Sequence, residues 1–208
     1  MARASSSIGR AALLGLTVAL APAVPPANAQ AAPSACLPET GAFAPILAGL
    51  EAEGWAALAP GAPVPEEAAG RLAWVLTAFY RTGDAGGASV ARIHELQART
   101  VPGLSRRVDT ETSRARVLTR EDGAMILSWS RNAGGTDVIC RVALDGGTPA
   151  SGTADGFGAP VLTLEQDPLR RTAIIAVEPG RLGALTGALR APTTIIETVS
   201  ILPGGVGE

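Results

Sequence analysis

Apolar residues recur every three or four positions in the first half of the chain, a spacing that predicts amphipathic helices. Three helices are predicted, over residues 43–53, 65–81 and 89–100. The second begins at Pro65-Glu66-Glu67, where an early proline and acidic residues in the first turn favour a helix start. The expected core-facing stripes are Phe43, Ile46, Leu47 and Leu50; Ala68, Leu72, Val75, Leu76 and Phe79; and Val90, Ile93 and Leu96.

The second half alternates apolar and polar positions over short runs, which predicts β-strands. Predicted strands cover residues 114–120, 124–130, 137–144, 161–164, 171–178 and 193–201. A late helix begins at Pro179-Gly180, and Asp122-Gly123 is a two-residue hairpin signal between the first two strands. Helices followed by an antiparallel meander predict an α+β fold. We expect N-terminal helices packed on a C-terminal, mainly antiparallel sheet of about five or six strands, with one late helix.

The N-terminus has the three parts of a secretory signal peptide. Arg3 and Arg10 precede an apolar stretch at residues 11–21, and Ala27 with Ala29 forms an A-x-A cleavage motif. Cleavage after Ala31 is the alternative to cleavage after Ala29. The apolar stretch is too short to be a transmembrane helix. We expect a signal peptide at residues 1–29, an N-terminal segment at 30–42 and a single α+β domain at 43–208. The mature protein is then periplasmic or secreted and has no transmembrane span.

The chain contains two cysteines, Cys36 and Cys140, and an oxidising compartment favours their pairing. Strand alternation places Cys140 on one face with Val138, Val142 and Leu144, which predicts that this face is buried. The sequence thus predicts a disulfide that ties segment 30–42 to the sheet. A lipid anchor on Cys36 is the alternative, but Pro33 stands where that pattern needs an aliphatic residue.

Composition excludes several chemistries. All 17 basic residues are arginine, so a P-loop lysine, a Schiff-base lysine and a Ser-x-x-Lys nucleophile are excluded. Two cysteines are too few for a Cys-based zinc ribbon or an iron–sulfur cluster. The net charge of −2 does not favour nucleic-acid binding. The sequence therefore predicts no cofactor, no metal site and no nucleic-acid partner.

Catalysis would depend on His94, the one histidine, which the pattern places at the edge of the apolar stripe of its helix. It is a candidate general base with Asp109 or Glu111 as orienting partner. Gly87-Ala-Ser89-Val-Ala91 approaches a nucleophile elbow, but a helix and a loop precede it, so Ser89 is interpreted as an N-cap. We expect no catalytic residue; the alternative function is a small periplasmic hydrolase using His94.

Residues 92–120 are rich in arginine: they include seven arginines and only three acidic residues. Arg114, Arg116 and Arg120 share strand parity, and guanidinium groups bind carboxylates and phosphates in a bidentate manner. We therefore expect a non-catalytic binding or interaction module for an anionic ligand or an acidic partner. The candidate binding residues are Arg106, Arg107, Arg114, Arg116 and Arg120. An ordinary solvated strand face and a purely structural envelope protein remain the alternatives.

Two further features bear on this interpretation. Glu197 shares a strand face with Ile195, Val199 and Ile201, and we expect that face to be solvent-exposed there. The alternative is a partly buried carboxylate paired with an arginine. The Gly-rich loop at 145–160 would favour ligand binding if it folds over a pocket.

Overall fold

The computed structural model describes residues 32–80, 87–153, 155–164, 169–187 and 191–203, so the predicted signal peptide lies outside the described residues. Within these ranges the chain forms a seven-stranded antiparallel sheet with four α-helices, mostly in its first half. This confirms the α+β class, with one strand more than expected. The helices are α1 (Phe43–Ala52), α2 (Glu66–Tyr80), α3 (Gly87–Thr100) and α4 (Pro179–Thr186). The strands are β1 (Ala56–Ala57), β2 (Ser113–Arg120), β3 (Gly123–Asn132), β4 (Gly135–Leu144), β5 (Val161–Leu164), β6 (Arg170–Ala176) and β7 (Thr194–Pro203).

The strands lie in the order β1-β2-β3-β4-β7-β6-β5. The β2–β3 hairpin is present, but Arg120 pairs with Gly123, so the two loop residues are Glu121 and Asp122. A Cβ on Gly123 would lie 2.8 Å from the backbone oxygen of Ala143 on β4. The glycine therefore allows close packing of β3 against β4 and does not itself form the turn.

Both faces of the sheet carry buried apolar side chains. The α1 face, covered by α1 and the segment before it, buries Leu118, Met125, Leu127, Trp129, Cys140, Val142 and Ile196. The α2 face, covered by α2, α3 and α4, buries Val117, Ala124, Ile126, Ala143, Ile175 and Ile195. Alternation along each strand sends successive side chains to opposite cores, which explains why β3 and β4 are apolar on both sides.

The disulfide between Cys36 and Cys140 is present, and both cysteines are fully buried on the α1 face. The carbonyl oxygen of Cys36 accepts hydrogen bonds from Thr198 Oγ1 and Ser200 Oγ of β7, at 3.3 and 3.4 Å. Trp129 Nε1 donates to the backbone oxygen of Gly41 at 2.8 Å. A fourth hydrogen bond runs from Arg170 of β6 to the backbone oxygen of Pro38, at 2.9 Å. The predicted disulfide and these four hydrogen bonds therefore hold the segment before α1 against the sheet.

Helix α2 covers only part of the α2 face. Near its N-terminus the buried Arg71 donates to Asp145 Oδ2 at 2.6 Å and to the backbone oxygen of Glu121 at 3.3 Å. These bonds fix the start of α2 at the end of the sheet that carries the β2–β3 hairpin. Near its C-terminus the Phe79 ring lies 5.7 Å from the guanidinium carbon of Arg141, near the middle of β4. The end of this sheet face that is opposite to the β2–β3 hairpin is therefore not covered by α2.

The orientation of α3 differs from the prediction. Leu96, expected to face inward, is 61 % exposed. The core-facing stripe instead runs through Val90, His94 and Gln97 to Val101, and the first and last of these are fully buried. Two polar residues occupy this stripe. A prediction based on apolar residues alone therefore gives an orientation about the helix axis that is wrong by part of a turn.

The loop at 145–160 does not fold over a pocket in the described residues. It inserts Phe157 into the core, 3 % exposed and 6.2 Å from the Trp74 ring, and Phe157 forms a β-bridge with Val177. The loop thus packs into the core under α4, and it gives no support to a ligand pocket at that position.

Candidate functional site

Arg114, Arg116 and Arg120 project from the α1 face, beside the aromatic residues that flank α1. The guanidinium carbon of Arg114 lies 5.4 Å from the Phe43 ring centroid and 5.7 Å from that of Trp129. Arg116 lies 5.5 Å from Phe43, and Arg120 lies 4.5 Å from Trp55. Cation–π contacts of this kind orient the guanidinium plane and shield the aromatic core from water.

Two of these arginines already bind carboxylates of the same chain. Arg116 donates to both Asp109 oxygens, at 2.8 and 2.6 Å, and Arg120 donates to both Asp122 oxygens, at 2.5 and 3.0 Å. The hydrogen bonds from Arg116 lower the pKa of Asp109, and the same pair raises the pKa of Arg116. Hydrogen bonds from Arg120 lower the pKa of Asp122. Both guanidinium groups are therefore largely committed within the fold.

Arg114 is different, because no carboxylate among the described residues is hydrogen-bonded or ion-paired to it. Its Nε is buried and has no hydrogen-bond partner within the described part of the chain. Arg114 and the exposed Arg107 border a groove of about 340 Å³ at the β2–β3–β4 end of the sheet. Most of the groove lining lies on the α2 face, whereas the guanidinium of Arg114 lies on the α1 face, against Phe43 and Trp129. Arg106 is exposed nearby but does not line this groove. The structure thus brings two of the five candidate arginines together at one cavity.

The groove is polar and of mixed charge. Its lining includes Ser113, Ser128 and Ser130, whose hydroxyl groups lie on the same sheet face as the groove, beside Arg107. Asp137 supplies a carboxylate on the β4 side and accepts a hydrogen bond from Asn132 Nδ2 at 2.9 Å. An anionic group is therefore favoured on the β2 side, beside Arg107, and is repelled on the β4 side.

The groove continues into the part of the α2 face that α2 leaves uncovered, which we call the open half-face. Register places Ser128, Ile139, Val199 and Arg171 side by side across β3, β4, β7 and β6. Two residues further along the strands, on the same face, a second row crosses β2, β3, β4 and β7 and consists of Ser113, Ser130, Asp137 and Ile201. Ile201 is 40 % exposed, whereas Ala143 and Ile195, under the helices, are fully buried.

Glu197 borders the open half-face and does not conform to the expectation of a solvent-exposed carboxylate. Its side chain is 10 % exposed and accepts a hydrogen bond from Arg141 Nε at 2.8 Å. Arg171, 56 % exposed, approaches the other oxygen to 3.6 Å. Opposite Glu197, β4 places an arginine and not an apolar residue, which makes burial of the carboxylate tolerable. Two guanidinium groups share one carboxylate, so this border is net positive.

His94 lies on the core-facing stripe of α3, where its ring stacks on Trp74. Burial lowers its pKa, and Nε2 has no hydrogen-bond partner among the described residues. Asp109, the proposed orienting carboxylate, binds Arg116, and Glu111 is exposed. Ser89 lies inside the first turn of α3 and not at its N-cap. The arrangement therefore does not provide His94 Nε2 with a hydrogen-bonded nucleophile or orienting carboxylate in the part of the chain that the structure describes.

The described ranges hold no cluster of three or more His, Cys, Asp or Glu side chains that could bind a metal ion. Among the helices of those ranges, none is both long enough and apolar enough to cross a bilayer. Comparison of the chain with models of known protein families, with curated proteins and with solved structures finds no match.

Proposed function

We propose that this protein is a small exported, non-catalytic binding module that takes an anionic ligand or an acidic partner at the β2 edge of the sheet, where Arg107 borders the groove and Arg114 lies on the adjacent α1 face. One observation carries the proposal. Of the three arginines on the α1 side of β2, Arg116 and Arg120 each hold a carboxylate of the same chain, whereas Arg114 holds none among the described residues. Arg114 and Arg107 line the groove.

The chemistry of Arg114 favours an external anion. Its stacking between Phe43 and Trp129 fixes the guanidinium plane before any ligand arrives, which reduces the entropy lost on binding. The described residues give Arg114 a Coulombic interaction with Asp109 but no hydrogen-bonded carboxylate, and an incoming anion would add charge-assisted hydrogen bonds. Arg107 on the exposed rim adds long-range attraction, which salt would screen.

Export is the second part of the proposal and rests on the N-terminal pattern and the disulfide. Disulfides persist in oxidising compartments such as the bacterial periplasm. We expect the protein purified from a periplasm to have a mass that corresponds to cleavage after Ala29 or Ala31, lowered by two hydrogens. A chain retaining residues 1–29 would contradict export.

Ligand binding can be tested with two probes of defined chemistry. Fluorescence anisotropy would measure binding of a fluorescein-labelled hexaglutamate peptide, with citrate as a small competing anion. We expect saturable binding that weakens as salt concentration rises. Arg107→Gln should weaken it about tenfold, the size of one charge-assisted hydrogen bond.

Arg92→Gln is the matched control, because Arg92 is an exposed arginine on α3, away from the groove. It should leave the affinity for hexaglutamate unchanged. Failure of both probes to bind, or equal effects of the two substitutions, would contradict an anion site at the groove.

A further inference from the structure

We infer that the open half-face binds an acidic amphipathic helix of a partner protein, with the apolar ridge of that helix on β4, β7 and β6 and its carboxylates near Arg107 and Arg171. This inference rests on the proposed function and names the partner class for the same site. It draws on the register of the sheet, on the exposed apolar side chains and on the charge of the surface.

The dimensions of the open half-face suit a helix. Neighbouring strands lie about 4.8 Å apart, so β3 to β6 spans about 14 Å, or nearly three turns of a helix. On the same face of the sheet, α2 already packs beside this surface, and its last described residue, Tyr80, is 64 % exposed. A second helix would therefore extend an existing helical layer on a sheet built to accept one.

Apolar exposure distinguishes this surface from a site for a small anion. Ile201 is 40 % exposed, and Leu162, on the same face beyond Ala173, is 58 % exposed. Ile139, which lines the groove, lies beside Val199, and both are partly exposed. A free anion would leave these side chains in water, whereas the ridge of an amphipathic helix would cover them.

The charge of the open half-face indicates that the partner helix is acidic. The surface and its border carry three arginines, Arg107, Arg141 and Arg171, against two carboxylates, Asp137 and Glu197. The face is therefore positive in a chain with a net charge of −2. A second copy docked face to face would place these arginines near one another, so charge disfavours self-association here. Carboxylates flanking an apolar ridge match both features of the surface.

A designed peptide provides the test. The probe is an amphipathic peptide of about 15 residues, with leucines at helical spacing and glutamates on the remaining positions, labelled with fluorescein. We expect it to bind the full mature protein at least about tenfold more tightly than hexaglutamate and to gain helicity on binding. A matched peptide with lysine in place of every glutamate should not bind.

Substitutions on the protein locate the site. Ile201→Glu should weaken binding of the amphipathic peptide about tenfold and leave binding of hexaglutamate within about twofold. Leu96→Glu is the control, because Leu96 is an exposed apolar residue on α3, away from the open half-face, and it should change neither affinity. If Ile201→Glu fails to fold, Leu162→Gln at the more exposed edge strand tests the same contact.

The outcomes separate the two proposals. Equal affinity for hexaglutamate and the amphipathic peptide would overturn the helix partner and leave the anion site standing. Binding of neither would overturn both. An Ile201-dependent dimer in sedimentation equilibrium, or Ile201-dependent binding to phosphatidylglycerol vesicles without peptide binding, would replace the helix with a second copy or a lipid surface.

Discussion

The imidazole ring of His94 stacks on the indole ring of Trp74, with ring centroids 3.8 Å apart and planes inclined by 30°. Trp74 is fully buried, and desolvation lowers the pKa of His94 below its usual value of 6.5. The histidine is thus a partly buried residue that is neutral near physiological pH, on the side of α3 that faces the core.

This stack predicts a pH dependence of stability. In the unfolded chain His94 takes up a proton as pH falls through 6.5, while in the folded chain it does so only at lower pH. Proton binding therefore favours the unfolded chain, and stability is lost as pH falls from 6.5 towards the folded-state pKa. Urea denaturation at about pH 7.5 and about pH 5.5 would measure the loss.

His94→Phe keeps an aromatic ring against Trp74 and removes the titrating group. We expect the decrease in unfolding free energy between the two pH values to be smaller in this variant than in the wild type. Asp109 and Asp122 also have lowered pKa values, but they titrate at lower pH, from a usual value of 3.8, and act equally in both proteins. The same pH dependence with and without His94 would refute this account.

The disulfide predicts a large stability effect. Cys36 and Cys140 are 104 residues apart in sequence, and the chain-entropy model gives about 4–5 kcal/mol for a loop of that length. A Cys36→Ala/Cys140→Ala variant should lose most of this free energy of unfolding, measured by urea denaturation. Alanine avoids placing a hydroxyl group in the fully buried site. A loss below about 1 kcal/mol would show that the unfolded chain is already constrained without the bond.

Local patterns gave the disulfide and most element positions because those depend on alternation or helical spacing. The parity of residues 138–144 correctly placed Cys140 in the core. The same reasoning failed at α3, where His94 and Gln97 face the core and Leu96 faces solvent. Strand β1 has two residues, too few for any period to be visible.

The candidate site was harder to predict, because its properties depend on contacts distant in sequence. Parity places Arg114, Arg116 and Arg120 on one face, but no pattern indicates which of them has a carboxylate. Glu197 was expected in solvent, yet Arg141, 56 residues away in sequence, pairs with it across β4 and β7. The open half-face depends on where α2 lies across the sheet, which needs the packing of both elements to be known.

The pair formed by Arg116 and Asp109 predicts a measurable coupling. Their side chains are 15 % and 32 % exposed, and the contact is bidentate. A double-mutant cycle with Arg116→Gln and Asp109→Asn should give a coupling free energy of about 1 kcal/mol, the upper end for partly exposed pairs. Because the pKa of Asp109 is lowered, the coupling is present above 3.8 and is lost as pH falls through the folded-state pKa. Zero coupling at neutral pH would mean that Arg116 acts through its stacking on Phe43 alone.

Two glycines in the loop at 145–160 predict different costs for the same substitution. Gly156 and Gly152 have φ angles of +80° and +72°, so alanine is strained by about 1–2 kcal/mol at either position. A Cβ at Gly156 would also lie 2.5 Å from Cδ2 of the fully buried Leu182, whereas nothing lies within 4 Å of a Cβ at Gly152. Gly156→Ala should therefore lower the free energy of unfolding by about 1–3 kcal/mol more than Gly152→Ala, because the added methyl group would overpack the core around Leu182. Urea denaturation of both variants measures the difference, and equal losses would mean that the loop around Phe157 shifts without disturbing Leu182.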